Sequence, residues 1–243
     1  LYVFKDIIEL LVTETNRYAH REKNQPLFNV DFEEMAKFLG IIFITSYNTR
    51  TAESDYWSKS EDLECPIVAN TMSSKRFKTI KRMLHAADNQ FLQPGRMAKV
   101  LPLYDVLNKK IKELGILHDN VSIDESMVPY RGRHSCKQYI KNKPVKFGFK
   151  LWVLASSTGL PYDVRIYEGK GSVDKGTPLG VNVVNNALDA CAITAGKHVF
   201  FDNFFTSIPL IENLKKKQIK ATGTIRDDRL MGCPIESKPT MAT

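Results

Sequence analysis

Long apolar runs are missing from this sequence of 243 residues. The longest is Phe38–Ile44, and a membrane-spanning helix needs about 20 apolar residues, so no transmembrane helix is predicted. Paired cysteines are missing as well, because the four cysteines form no CxxC motif, which excludes a zinc ribbon and a small disulfide-stapled domain. We therefore expect reduced thiols, as in cytosolic or nuclear proteins, at Cys65, Cys136, Cys191 and Cys233.

Several common catalytic motifs are also lacking. The five histidines show neither HExxH nor HxH spacing, which argues against a zinc hydrolase. The glycines between Gly169 and Asp174 do not match GxGxxG, no P-loop lysine follows a strand, and no GxSxG elbow occurs. Nucleotide-dependent enzymes and serine hydrolases are therefore set aside.

The charge of the chain is positive and unevenly distributed. The composition, 43% hydrophobic and 26% charged, is that of an ordinary soluble protein with one large domain or two small ones. Residues 1–118 hold 17 Lys and Arg against 15 Asp and Glu, whereas residues 119–243 hold 18 against 12. A local cationic surface is a candidate footprint for nucleic acid or another polyanion, and a solvated basic face is the alternative.

Because the chain begins at Leu1 rather than Met, we expect it to be part of a longer protein.

The hydrophobic period changes near residue 118, which predicts a helical region over residues 1–118 and a second domain over residues 119–243. In the first region, apolar residues recur at helical spacing over residues 1–20, after Asp31, from Ser73 or Ser74, and over residues 101–114. In the helix after Asp31, the residues expected to face the core are Met35, Phe38, Leu39, Ile42 and Phe43.

In the second region, the hydrophobic pattern predicts strands and helices in the order β-β-β-α-β-α-β. Strands are expected at 120–128, 147–155, 160–167, 198–201 and 219–225, with helices over 181–191 and 207–217 and a glycine-rich loop over 169–180. A three-stranded meander followed by α-β-α-β should form a mixed sheet flanked by helices. The predicted class is therefore α/β with a ribonuclease-H-like sheet, preceded by an α-helical region.

Two aspartates are the candidate catalytic and metal-binding residues. Asp124 lies within an alternating strand, where aspartate is disfavoured, and Asp202 directly follows the strand at 198–201. Carboxylates on neighbouring strands, about 4.8 Å apart, can bind one hard cation such as Mg²⁺, which can activate water for attack on a phosphodiester. The sequence leaves open whether these strands are neighbours, and the alternative for Asp124 is an exposed edge carboxylate. Glu125 is expected to point to the opposite face and to be structural or solvated.

A basic segment follows Asp124 in the chain and is the candidate DNA-binding surface. Between residues 131 and 150 there are seven cations and no acid, with Tyr139 and Phe147 interleaved. Such a segment can neutralise several phosphates, and its affinity should be salt-sensitive and largely independent of DNA sequence. The candidate DNA-binding residues are Arg131, Arg133, Lys137, Lys141, Lys143, Lys146 and Lys150.

Several co-linear motifs resemble those of the piggyBac transposase family. In the second half they are SIDE at 122–125, YRGR at 130–133, YIKNKP at 139–144, GTPLG at 176–180, DNFFTSIPL at 202–210 and GTIR at 223–226. In the helical half they are FLGI at 38–41 and MSSKRF at 72–77. The resemblance covers nearly the whole chain.

The resemblance implies a ribonuclease-H-like DDE catalytic core at 119–243 and a helical region for dimerisation and DNA binding at 1–118. It implies cut-and-paste transposition at TTAA sites by three aspartates that hold two Mg²⁺ ions, with Asp124 and Asp202 matching the first two. In the family, the third aspartate lies on a helix beyond the strand at 219–225, and a cysteine-rich zinc finger follows. We expect this chain to stop before both, to bind Mg²⁺ or Mn²⁺ weakly, and not to cleave DNA by itself.

Three functions follow from the resemblance and the residues. The first is a domesticated, transposable element-derived domain that is non-catalytic and binds DNA or chromatin and nuclear protein partners. The second is an active Mg²⁺-dependent transposase in the full-length parent, and the third is a structural scaffold that binds neither DNA nor metal. We expect the protein to be nuclear and to have no membrane partner. Protein partners should bind through domains outside this chain, and a homodimer is one of the possible assemblies.

Overall fold

The computed structural model describes residues 2–141, 143–169, 176–230 and 232. The chain divides into two compact units, Leu1–Leu107 and Asn108–Thr243. The division falls inside a helix, earlier than the predicted boundary at residue 118. The side chain of Asn108 forms two hydrogen bonds with the backbone of Val164, which ties the second half of this helix to the second unit.

The regular structure described in the first unit is helical. Its helices are α1 (Tyr2–Arg21), α2 (Phe32–Tyr47), α3 (Pro66–Ala69) and α4 (Ser74–Met83), with a 3₁₀ turn at Glu53–Trp57. The helix α5 (Leu101–Glu113) begins in this unit and continues into the second from Asn108. Two of the predicted helix starts have side-chain caps. Asp31 Oδ1 accepts a hydrogen bond from the Glu34 N–H at 2.8 Å, and Ser73 Oγ accepts one from the Arg76 N–H at 3.3 Å.

The buried stripe of α2 runs through Met35, Phe38 and Ile41. The prediction that Ile42 and Phe43 face the core was wrong, because these side chains are 38% and 52% exposed. Steps of three residues keep Met35, Phe38 and Ile41 on one side of the helix, and Phe43, two residues beyond Ile41, turns away from it.

The second unit is built on a six-stranded mixed sheet, which confirms the predicted fold class. Its strands are β1 (Asn120–Pro129), β2 (Gln138–Tyr139), β3 (Phe147–Ser156), β4 (Pro161–Ile166), β5 (His198–Phe201) and β6 (Lys220–Gly223). The spatial order is β4-β3-β1-β5-β6, and the short β2 also pairs with β3. The β1–β3 and β3–β4 pairs are antiparallel, whereas β1–β5 and β5–β6 are parallel.

Two helices of the second unit, α6 (Leu179–Ala190) and α7 (Ile208–Lys216), share one apolar core with the sheet. The strands contribute every second residue to this core, as the alternation in the sequence predicts. The most deeply buried members are Val184 and Leu188 from α6, Leu210 and Leu214 from α7, Phe205 after β5, and Val121, Ile123, Leu154 and Val199 from the strands. Residues 170–175 of the predicted glycine-rich loop lie outside the described residues.

None of the helices in the described part of the chain combines the length and the apolarity needed to cross a bilayer.

Candidate metal and nucleic-acid site

The two candidate aspartates follow the same pair of residues in the sheet. β1 and β5 are neighbouring parallel strands, and their last pair in register is Ile123 with Phe201. Asp124 and Asp202 come directly after these two residues. The structure therefore brings the aspartates to adjacent positions at the end of β5, which the sequence left open.

The turn after β5 fixes Asp202. Its Oδ1 atom accepts a hydrogen bond from the Phe204 N–H at 2.8 Å. Its backbone carbonyl accepts bonds from the N–H of Phe205, from the N–H of Thr206 and from the Thr206 hydroxyl. Arg229 donates to the backbone carbonyls of Asn203, Phe204 and Thr206 at 3.0 to 3.2 Å, so this guanidinium ties the turn together.

Asp124 has a more open setting, since its side chain is 61% exposed. Its Oδ1 atom accepts a hydrogen bond from the Glu125 N–H at 2.7 Å, and its Oδ2 atom lies 3.9 Å from the Lys143 ammonium. Partial desolvation and the neighbouring Glu125 carboxylate raise the pKa of Asp124 above its ordinary value, although the Glu125 N–H and Lys143 act in the other direction.

Glu125 is the residue of the site that sequence reasoning underrated. Its side chain is 12% exposed, and its Oε1 atom lies 3.2 Å from the Lys143 ammonium. Burial alone would raise its pKa, but the positive charges of Lys150 and Lys143 hold it below the ordinary value. The prediction that Glu125 points away from Asp124 and is solvated was wrong, because the two carboxyl groups interact with each other and both lie beside Lys143. The available signal was that residues 131–150 contain seven cations and no acid, so an acid just before this segment is a ready partner for one of them.

The seven candidate DNA-binding cations differ in their surroundings. The side chains of Arg131, Arg133, Lys141 and Lys146 are exposed. Lys137 donates to the Gly132 carbonyl at 2.9 Å, and Lys143 is engaged with two carboxylates.

Lys150 is held by two aromatic rings. Its ammonium lies 3.8 Å from the ring centre of Trp152 and 4.8 Å from that of Phe204. Burial lowers its pKa below the ordinary value. Because Phe204 also donates its N–H to Asp202, Lys150 belongs to the support of the carboxylate site rather than to its exposed basic rim.

The donor chemistry of the site suits a hard divalent cation. The carboxylates of Asp124 and Asp202 are the oxygen ligands that Mg²⁺ and Mn²⁺ prefer. They fit two of the ligand positions of such an ion. The described residues contain no cluster of three or more His, Cys, Asp or Glu side chains that could hold a metal.

The order of the sheet, with one carboxylate within β1 and the other directly after its parallel neighbour β5, defines a protein of the ribonuclease-H-like, DDE transposase class. Residues 3–242 match the family described as Transposase IS4. The cryo-EM structure of the piggyBac transposase synaptic complex with hairpin DNA has the same fold, with a TM-score of 0.80 at 24% identity over 97% of this chain and 53% of that chain. DDE-fold transposases generally use divalent metal ions.

Human proteins derived from transposable elements are similar over almost the entire chain. PiggyBac transposable element-derived protein 3 is 35% identical over 242 residues, which cover 98% of this chain and 40% of that protein. PiggyBac transposable element-derived protein 2 is 35% identical over 243 residues, covering 97% and 40%. The Chimeric ERCC6-PGBD3 protein is also 35% identical, and the match covers 23% of its length.

This chain belongs to the piggyBac transposase family, and the family predicted from its motifs is confirmed. It spans less than half the length of these human relatives.

Proposed function

We propose that this chain is a domesticated transposase domain that binds DNA through its basic segment without cleaving it. The observation that carries the proposal is the exposure of Arg131, Arg133, Lys141 and Lys146 in the unit that holds the paired aspartates. Support also comes from the relatives, which are named as transposable element-derived proteins, and from the fold neighbour, which was solved with DNA.

The four exposed cations should contact phosphates, whereas Lys143 and Lys150 should contribute less because carboxylates and aromatic rings already hold them. Each phosphate contact releases a condensed counterion, so the logarithm of affinity falls with the logarithm of salt by about 0.9 per contact. Binding to unrelated duplexes should be similar, since these contacts carry no base readout.

The test is fluorescence anisotropy of two unrelated duplexes titrated with the chain over a range of salt. Lys141→Ala/Lys146→Ala should weaken binding to both duplexes and lower the salt slope by about 1.8. The charge-matched control is Lys215→Ala/Lys216→Ala, which removes two exposed cations from the end of α7 and should leave the slope unchanged. Equal slopes for both double variants would mean that the basic segment is only a solvated face.

The helical unit supports a second DNA contact, on α4. The side chains of Lys75, Lys78 and Arg82 are exposed at i, i+3 and i+7, and therefore lie along one side of the helix. The other two cations of α4 are paired with glutamates. Replacing the three exposed cations by alanine should lower the salt slope by up to about 2.7. An unchanged slope would remove α4 from the DNA surface.

A second candidate function is favoured by the adjacent positions of Asp124 and Asp202. In the full-length protein these carboxylates would hold Mg²⁺ or Mn²⁺, and the bound metal would activate water and polarise the scissile phosphodiester. The turn of residues 202–206 would keep one ligand fixed, and the exposed cations would position the DNA strand. Strand cleavage on a TTAA-flanked element by the full-length protein, lost in Asp124→Asn/Asp202→Asn, would establish this function over the first.

A structural scaffold is the third candidate, and it predicts that neither DNA nor Mn²⁺ binds.

The first proposal also includes nuclear localisation, homodimerisation and association with nuclear proteins through other parts of the full-length protein. Imaging of the tagged full-length protein tests the localisation. An exclusively cytoplasmic signal would contradict a chromatin function.

A further inference from the structure

The Lys143 ammonium lies close to the carboxylate where a divalent cation would bind. It is 3.9 Å from Asp124 Oδ2 and 3.2 Å from Glu125 Oε1. The shorter distance identifies Glu125 as its anchor, while Asp124 is the more open of the two carboxylates. One lysine therefore approaches a candidate metal ligand without being bound to it at hydrogen-bond distance.

The anchor of Lys143 is itself held in place. Glu125 is 12% exposed, and the positive charge of Lys150 acts on it together with that of Lys143. Lys150 in turn is fixed between the rings of Trp152 and Phe204. The Lys143 ammonium thus has a defined position on the strand face next to Asp124, and it is not a freely moving surface charge.

We propose that Lys143 is a tethered counter-ion that competes with a divalent cation for Asp124. The inference rests on the second candidate function, in which Asp124 and Asp202 hold the metal. The ammonium partly neutralises Asp124 when no divalent ion is bound, and a metal ion entering the site must work against its positive charge. Lys143 acts through Asp124 and is a positioning residue.

The size of the effect follows from the geometry. Two unit charges about 4 Å apart in a water-exposed setting change a binding constant by about five-fold, and by more where water is excluded. Because Asp124 is 61% exposed, the smaller value applies. Removing the Lys143 charge should therefore tighten Mn²⁺ binding about five-fold.

The experiment is the binding of Mn²⁺ to the 243-residue chain, followed by the electron paramagnetic resonance signal of free Mn²⁺. We expect Lys143→Met to lower the Kd about five-fold and Lys143→Arg, which keeps the charge, to bind like the unaltered chain. Lys216→Met removes an equal charge from the exposed end of α7 and should leave the Kd unchanged. In an Asp124→Asn background, Lys143→Met should have no effect.

Three results would overturn the proposal. An unchanged or higher Kd for Lys143→Met would show that the ammonium does not compete, and an equal gain in Lys216→Met would assign the effect to net charge. An absence of Mn²⁺ binding in every variant would overturn the proposal, whereas the metal-dependent function is decided by strand cleavage with the full-length protein. The DNA titration of the same protein decides the DNA-binding function separately, so the failures are distinguishable.

Discussion

The substitution Gly223→Ala tests whether the Asp202 turn depends on close packing. A Cβ atom at residue 223 would lie 2.5 Å from Thr206 Oγ1 and 2.8 Å from the Phe201 carbonyl oxygen. Both contacts are too short, and the second is with backbone, so part of the sheet or the turn must move. The Thr206 hydroxyl is also a donor to the Asp202 carbonyl, and its displacement would loosen the turn that fixes Asp202.

The expected loss of stability is moderate. Overpacking of this kind costs about 1–3 kcal/mol, and replacing a strand glycine by alanine recovers about 0.5–1 kcal/mol of backbone entropy. We therefore expect Gly223→Ala to lower the free energy of unfolding by about 1–2 kcal/mol. Gly40 in α2 is the control, since its added Cβ meets nothing within 4 Å. There the same substitution should stabilise the protein by about 0.5–1 kcal/mol.

Tryptophan fluorescence can report on each unit separately, because the chain has one tryptophan in each. In a Trp57→Phe background, urea unfolding followed through Trp152 measures the effect of Gly223→Ala on the second unit. In a Trp152→Phe background, Trp57 measures the effect of Gly40→Ala on the first. A Gly223→Ala protein as stable as its parent would refute the packing argument, and so would equal destabilisation at both glycines.

Three further predictions concern the second unit. Asn108→Ala removes two hydrogen bonds of 2.9 Å to the main chain of β4, so urea unfolding should show a loss of about 1–3 kcal/mol. Because Lys150 and Lys143 hold the pKa of Glu125 below its ordinary value of 4.5 against the effect of burial, the ionised carboxylate stabilises the folded state above that pH. This contribution should disappear as the pH falls through the depressed folded-state pKa, and Glu125→Gln should flatten that part of the acid-unfolding curve. Burial raises the pKa of the Cys191 thiol to about 11, so iodoacetamide should label it slowly at pH 8 and faster after unfolding in urea.

The sequence predicted the helices and strands that have a local signal, either a hydrophobic period or a capping residue. The alternation at residues 120–128 predicts β1, and the capping residue Asp31 predicts the start of α2. The short strand β2 has no such signal, because two residues are too few to show a period and only their pairing with β3 defines them. Phe43 was assigned to the core since hydrophobicity alone does not distinguish the buried side of α2 from its neighbour.

The sequence predicted the two aspartates of the candidate site but not the residues that surround them. Asp124 stands out because aspartate is disfavoured within a strand, and Asp202 because it follows the end of a buried strand, where polar groups gather around ligands. The pairing of Glu125 with Lys143 depends on how the segment between β1 and β3 returns to the sheet. The separation of two residues along the sequence does not predict a contact that depends on the path of a loop.

The motifs at 176–180, 202–210 and 223–226 share a physical reason that their sequences do not reveal separately. A Cβ atom on Gly180 would lie 2.7 Å from the Phe204 carbonyl oxygen, and one on Gly223 would lie 2.5 Å from Thr206 Oγ1. Neither glycine has a positive φ, so each is required for space rather than for backbone conformation. The missing side chains of both glycines leave room for the same turn, whose N–H groups and Thr206 hydroxyl bind Asp202. Three separate motifs thus converge on the position of one carboxylate, which is why substitutions at the glycines should affect the site without touching a ligand.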